Sequence, residues 1–304
     1  MSLTNFPGGG SSSTGGPITK VTMPALAEMK RQGKPISALT AYDYATSRLV
    51  DEAGIDMILV GDSLAMVVLG YENTLPITVE EMLHHVRAVR RGVRRALVIA
   101  DMPYASYQVD EKQAVKNAAR FLKDGGAEAV KIEGGEKRVS LIHRLLDAEV
   151  PIMGHIGLTP QSVHMMGGYR VQGKSLAAIE RLVKDAVALD RAGVFSIVLE
   201  GIPREVARII TEEVECPTIG IGAGPDCDGQ VLVIHDILNL TDREPAKFVR
   251  QYADVASLIS GAVKQFKTDV ESRAFPADQE SYHLPRETQV ALETIRARKR
   301  AMTR

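Results

Sequence analysis

The sequence predicts an α/β protein whose strands close into a (β/α)₈ TIM barrel. Short apolar runs alternate with longer helical stretches between Ile36 and His235, which implies a parallel sheet. The runs number eight, and eight βα units close naturally on themselves. Three successive runs end in a carboxylate: Met57-Ile58-Leu59-Val60-Gly61-Asp62, Ala96-Leu97-Val98-Ile99-Ala100-Asp101 and Ala127-Glu128-Ala129-Val130-Lys131-Ile132-Glu133. A doubly wound open sheet is the other arrangement of the same pattern.

Strands are expected at Ile36–Ala41, Asp56–Val60, Ala96–Ala100, Ala127–Ile132, Val150–Gly154, Phe195–Leu199, Pro217–Ile221 and Val231–His235. Between them, one helix opens at Thr78 with Glu81 three residues on, the pattern of a capping box. Another opens at Asp110 with Gln113. Ser175–Ala192 carries Leu176, Ile179, Leu182, Val183, Ala186 and Leu189 at helical spacing. A further helix begins near Pro203, a favoured first helical position. Past the eighth run, Pro245–Phe266 reads as one more helix. Pro285–Arg304 reads as an exposed helix with a basic, solvated end.

Composition excludes several classes. A 45% hydrophobic and 25% charged chain is ordinary for a globular protein. A net charge of −1 gives no field for nucleic acid or an anionic membrane. No apolar run reaches the roughly 18 residues of a membrane span. Cys216 and Cys227 form no CxxC motif and suit a reducing cytoplasm rather than a disulfide framework. Residues 1–17 are rich in glycine and serine, lack the apolar core of a secretory signal, and read as a disordered tail.

A barrel concentrates chemistry at the C-terminal ends of its strands. Asp62 with Ser63, Asp101, Lys131 with Glu133, His155, Glu200, the Gly220–Gly224 turn and His235 fall there. Side-chain alternation sets Asp62 on the face of Ile58 and Val60, Asp101 with Leu97 and Ile99, Glu133 and Lys131 with Ala129, His155 with Met153, and Glu200 with Val198. Neighbouring strands lie about 4.8 Å apart. Three anions that close need a shared proton or a cation among them, and oxygen-only ligands favour Mg²⁺. Each residue also has a structural alternative. Asp62 could cap a turn, Lys131 could simply pair with Glu133, and His155 could be a packed histidine. The Gly220-Ile221-Gly222-Ala223-Gly224 turn precedes a loop rather than a helix, so it fails as a dinucleotide fingerprint. It is left as a phosphate site or as glycines required by tight geometry.

An acid-bound Mg²⁺, a lysine and a separate glutamate suit one kind of reaction. The ion holds a 2-oxo acid, a base such as Glu200 removes the proton beside the ketone, and Lys131 offsets the negative charge of the enolate, which attacks a carbon electrophile.

Val60-Gly61-Asp62-Ser63-Leu64, Thr74-Leu75-Pro76-Ile77-Thr78, Ala100-Asp101-Met102-Pro103 and Lys131-Ile132-Glu133-Gly134-Gly135-Glu136 appear in order. Gly154-His155-Ile156-Gly157-Leu158-Thr159-Pro160-Gln161-Ser162, Gly167-Gly168-Tyr169-Arg170-Val171-Gln172-Gly173 and Ile219-Gly220-Ile221-Gly222-Ala223-Gly224 follow. From about Thr19 to His283 the chain closely resembles the ketopantoate hydroxymethyltransferase family. The resemblance implies a barrel of the phosphoenolpyruvate/pyruvate type; residues 18–283 are read as one catalytic domain and 284–304, on which the resemblance is silent, as a helical extension. It implies transfer of a one-carbon unit from the co-substrate 5,10-methylenetetrahydrofolate to 3-methyl-2-oxobutanoate. It implies a Mg²⁺ shell of Asp62, Asp101 and Glu133, partly through water. Asp62, Ser63, Asp101, Lys131 and His155 are the implied substrate contacts, and Glu200 is the implied proton acceptor. It also implies a cytoplasmic homo-oligomer, a decamer of five dimers, acting on small molecules.

Two alternatives stand beside this. One is a Mg²⁺-dependent carbon–carbon lyase of the same barrel type acting on a 2-oxo acid. Such lyases often add a cysteine just after strands three to five, where neither Cys216 nor Cys227 falls. The other is a non-catalytic barrel whose acids hold a structural ion.

Overall fold

The structure is a computed structural model and describes residues 19–302. The expected tail at residues 1–17 lies outside the described residues. Among these residues, eight parallel strands close into a barrel in sequence order, β1 pairing with β8. They are β1 (Ile36–Thr40), β2 (Met57–Val60), β3 (Leu97–Asp101), β4 (Ala129–Glu133), β5 (Ile152–Gly157), β6 (Ser196–Glu200), β7 (Thr218–Ile221) and β8 (Gly229–Leu232). The open-sheet alternative is thereby excluded.

The helices start where the sequence supplies caps. Thr78 and Glu81 form the reciprocal capping box at the head of Val79–Gly92. Asp110 accepts from the Gln113 amide ahead of Glu111–Arg120, and Ser175 from Ala178 ahead of Leu176–Ala192. Gly193, in the left-handed region at φ 95°, ends that last helix. Pro203 stands one residue earlier than expected, as the cap of Arg204–Glu213.

Two apolar cores result. The inner one fills the barrel with alternate residues of its strands, including Met57, Leu59, Leu97, Ile99, Ala129, Met153, Val198, Ile219 and Val231. Leu26 and Met29, from helix Met23–Arg31, belong to the same cluster. The outer core packs the other strand faces, such as Ile58, Val60, Val98 and Ile132, against the helices. The alternation expected for β3, β4, β5 and β6 holds. For β2 it does not: Met57 and Leu59 point inward, and Ile58 and Val60 point outward. Asp62 reaches the barrel mouth because the chain leaves the strand at Gly61 and turns, so strand phase no longer governs it.

Two later expectations also shift. β8 ends at Leu232, and the Ile234 amide donates to Thr40 Oγ1, opening the short helix Ile234–Ile237. His235 is therefore not a strand end. Residues 245–254 are not helical. That helix runs Val255–Glu271, capped by Asp254, whose carboxylate accepts from the Ser257 amide.

The chain forms two compact units, dividing between Tyr252 and Ala253. The first holds the barrel. The second contains Val255–Glu271 and Arg286–Met302, neither with a buried residue. Sequence reading carried the barrel domain on to residue 283.

Candidate active site

Strand register assembles the site. Asp101 on β3 sits opposite Lys131 on β4, Glu133 on β4 opposite His155 on β5, and Gly157 on β5 opposite Glu200 on β6. Asp62 and Ser63 arrive from the turn after β2, where the Asp62 amide donates to Asp101 Oδ2 at 2.9 Å. These seven residues line one cavity of about 390 Å³ at the C-terminal mouth. The structure thus brings together seven of the strand-end candidates expected from the sequence, and leaves out His235.

Asp62, Asp101, Lys131, Glu133 and His155 are all buried. Lys131 Nζ lies 2.9 Å from Asp101 Oδ1 and 3.1 Å from His155 Nδ1. His155 spans two carboxylates, with Nδ1 3.5 Å from Glu133 Oε1 and Nε2 3.2 Å from Glu200 Oε2. Glu200 is set apart from the other acids by that imidazole and is the more exposed, its side chain 16% accessible.

Burial, reinforced by the charges of Asp101 and Glu133, raises the Asp62 carboxyl well above its ordinary range. Burial works against the Lys131 ammonium, but Asp101, Glu133 and Asp62 outweigh it and hold the lysine protonated. At His155 two influences disagree. Burial and Lys131 disfavour a second proton, while Glu133 and Glu200 favour one and push the ring up to about 9. The 3.1 Å approach of Nζ needs a lone pair on Nδ1. That contact is a hydrogen bond only in the tautomer with its proton on Nε2, and it opposes the pull of the two carboxylates.

The donor set fits a hard divalent cation. Among the described residues, Glu133 Oε1 is buried without a hydrogen bond, Asp101 Oδ1 has its ion pair with Lys131, and the Asp62 carboxyl is under strong pressure to find a proton or a cation. No three His, Cys, Asp or Glu side chains among the described residues form a ready-made cage. Mg²⁺ seldom uses one; it usually keeps several waters and takes only one or two carboxylates.

Three contributors escaped sequence reading. Gln161 donates from Nε2 to Asp62 Oδ2 at 2.9 Å, and its backbone amide donates to Glu133 Oε2 at 3.0 Å. Tyr107 donates its hydroxyl to Gln161 Oε1 at 2.7 Å. Tyr42 Oη shares a 2.8 Å hydrogen bond with Ser63 Oγ. Only Gln161 lay in a quoted motif, and nothing in local spacing marked any of them. The glycine turn proves to be a matter of close approach. At Gly222, φ +63°, a Cβ would meet the Phe248 ring at 2.6 Å, and at Gly224 one would meet Arg204 Cβ at 2.4 Å. His235 stands behind Tyr42, ring centroids 5.4 Å apart, and does not line the cavity.

Comparison with known proteins agrees with this architecture. A phosphonopyruvate hydrolase structure, solved with oxalate and Mg²⁺, aligns with a TM-score of 0.55 at 13% identity, covering 93% of this chain and 98% of that one. A 2,3-dimethylmalate lyase of the PEP mutase/isocitrate lyase superfamily aligns with a TM-score of 0.55 at 15% identity, covering 94% and 100%. Likeness at that identity establishes the fold. Sequence relatives are much nearer. The 3-methyl-2-oxobutanoate hydroxymethyltransferase of Koribacter versatilis is 70% identical over 95% of this chain and 98% of its own. That of Syntrophomonas wolfei is 53% identical over 89% and 98%. The ketopantoate hydroxymethyltransferase family model matches residues 20–278, and the chain belongs to that family.

Proposed function

We propose that this chain transfers a hydroxymethyl group from 5,10-methylenetetrahydrofolate to 3-methyl-2-oxobutanoate, a step of pantothenate biosynthesis. In the net reaction the oxo acid, methylenetetrahydrofolate and water give 2-dehydropantoate and tetrahydrofolate. The observation that carries the reading is the division of labour across His155. On one side stand the buried acids and Lys131, and on the other Glu200, a carboxylate apart from that cluster and open to the cavity.

Asp62, Asp101 and Glu133 are the residues that would hold Mg²⁺, partly through water. When bound, the ion supplies Lewis-acid stabilisation of oxygen charge. The remaining chemistry belongs to side chains. Glu200 takes the proton from C3 of the oxo acid, and the C–H electron pair becomes the C2–C3 double bond of the enolate. The Lys131 ammonium sits beside Asp101 and offsets the charge of the bound oxo acid and of the enolate. Ser63, held by Tyr42, and His155 complete the contacts to the oxo acid. Leu59, Val198, Ile221 and Val231 supply apolar wall for a branched alkyl group. One C–N bond of the co-substrate's methylene bridge opens to an iminium, C3 of the enolate bonds to that carbon as the C=N electron pair returns to nitrogen, and water then replaces the remaining C–N bond, giving the hydroxymethyl group of 2-dehydropantoate and tetrahydrofolate.

A carbon–carbon lyase reading loses the support of a nucleophilic thiol, since neither Cys216 nor Cys227 lines the cavity. The resemblance further supports a cytoplasmic homo-oligomer, a decamer of five dimers. No helix among the described residues is long and apolar enough to cross a membrane.

The test is formation of 2-dehydropantoate from 3-methyl-2-oxobutanoate and 5,10-methylenetetrahydrofolate, with and without Mg²⁺. Product only with the metal is expected. No product from folded, metal-loaded protein would overturn the assignment.

A further inference from the structure

Gln161 is a buried amide whose hydrogen-bonding capacity is fully used. Its Nε2 donates to Asp62 Oδ2 and to the Met102 carbonyl at 3.0 Å, and its Oε1 accepts from the Tyr107 hydroxyl and from Gln108 Nε2 at 2.8 Å. Two donors and two acceptor positions are all such a side chain offers. Its backbone amide adds the bond to Glu133 Oε2. One residue therefore holds one oxygen of each of two acids, one from the turn after β2 and one from β4.

The direction of this network is determined. Tyr107 Oη accepts from the Glu133 amide at 2.9 Å, so its single hydrogen goes to Gln161 Oε1. Turning the amide over would aim its oxygen at Asp62 Oδ2 and the Met102 carbonyl, both acceptors. Tyr107 is itself fixed. It is buried, and the Arg138 guanidinium lies over its ring, 5.1 Å from the centroid, while Arg138 Nε bonds the Glu133 carbonyl at 3.2 Å. Burial, aided by the Glu133 charge, raises the Tyr107 phenol well above its ordinary range, so it stays a donor.

We infer that Gln161, latched by Tyr107, is the positioning residue of the acid cluster. It fixes the rotation of the Asp62 and Glu133 carboxylates, occupies one oxygen of each, and leaves the other to a cation. The inference rests on reading those acids as a cation site. Gln161 touches neither substrate nor ion; it acts through the two carboxylates. Groups that orient metal ligands in this way are commonly worth about 10–100-fold in affinity.

The experiment is titration of the wild-type, Gln161→Met and Tyr107→Phe proteins with Mn²⁺, following the EPR signal of the free ion, with melting curves to confirm folding. Gln161→Met should bind Mn²⁺ at least about tenfold more weakly. In the assay its turnover should need correspondingly more Mg²⁺ and partly recover at high Mg²⁺, which a general loss of structure would not produce. Tyr107→Phe should shift both in the same direction by a smaller factor. A folded Gln161→Met protein that binds Mn²⁺ within twofold of wild type overturns the inference. Should that variant fail to fold, unchanged Mn²⁺ affinity in Tyr107→Phe overturns it instead. Wild-type protein that takes up no Mn²⁺ overturns the cation reading itself, a result visible before any variant is compared.

Discussion

Lys131 Nζ lies 2.9 Å from Asp101 Oδ1, and the two residues are register partners on β4 and β3. The pair is buried, with side-chain exposures of 6% and 3%. Removing one member of such a pair leaves an uncompensated charge, at a cost of about 3–5 kcal/mol. Lys131→Met should therefore lose turnover and also melt lower when stripped of metal. Added Mg²⁺ should raise its melting temperature more than that of wild type, because the cation takes over the lost neutralisation. Equal Mg²⁺-induced shifts in the two proteins would count against a shared charge balance.

Asp101→Ala removes a proposed metal ligand and the acceptor for the Asp62 amide. Activity should fall at least about tenfold, since Lewis-acid stabilisation is worth several kcal/mol. Chelation should abolish wild-type turnover, and Mg²⁺ should restore it. Full activity in excess chelator, with metal content checked, would rule out the proposed role.

Gly157 stands opposite Glu200 in the β5–β6 register at φ +94°, and a Cβ there would lie 2.2 Å from the Glu200 carbonyl oxygen. Gly157→Ala should displace Glu200 more than the acid cluster. Turnover should drop while Mn²⁺ affinity stays near wild type. An equal loss of both would place the strain elsewhere.

The opposite end of the barrel offers a pH test. Burial raises the Asp56 carboxyl, but the Ser37 amide, Arg95 and the Ser37 hydroxyl outweigh it, so the net shift is downward. A depressed carboxylate contributes stability fully above its unfolded pKa of about 3.9 and loses it as pH falls through the folded value. Asp56→Asn should melt below wild type at pH 7, by an amount in the range of a charge-assisted hydrogen bond, about 1.5–3 kcal/mol. The gap should close in strong acid, where a protonated Asp56 resembles asparagine. A constant gap from pH 7 to below pH 3 would show that charge is not the cause.

The strand-end residues Asp101, Lys131, Glu133, His155 and Glu200 were legible because each closes a short apolar run in phase with inward neighbours. Asp62 was placed correctly for the wrong reason. All four residues of β2 are buried, so no polar–apolar alternation marks which face is inside. The turn at Gly61 then carries Asp62 to the mouth regardless of phase. Gln161 and Tyr107 were invisible because their partnership spans 54 residues and depends on two loop paths rather than on local periodicity. Phe248 misled in the same way. It fell within the helix expected over Pro245–Phe266 but is drawn against Gly222 instead.

The central claim is that Glu200 removes the C3 proton of 3-methyl-2-oxobutanoate. The direct measurement is exchange of that proton with solvent deuterium, followed by NMR in D₂O with Mg²⁺ and no methylenetetrahydrofolate. Glu200→Gln keeps the side chain's shape and removes its basicity. Exchange should fall by about 10²–10⁴, the usual worth of a positioned base, while Mg²⁺-dependent binding of the oxo acid persists, because the proposed cation ligands lie across His155. Exchange at the wild-type rate in Glu200→Gln would contradict the account and transfer the base role to His155.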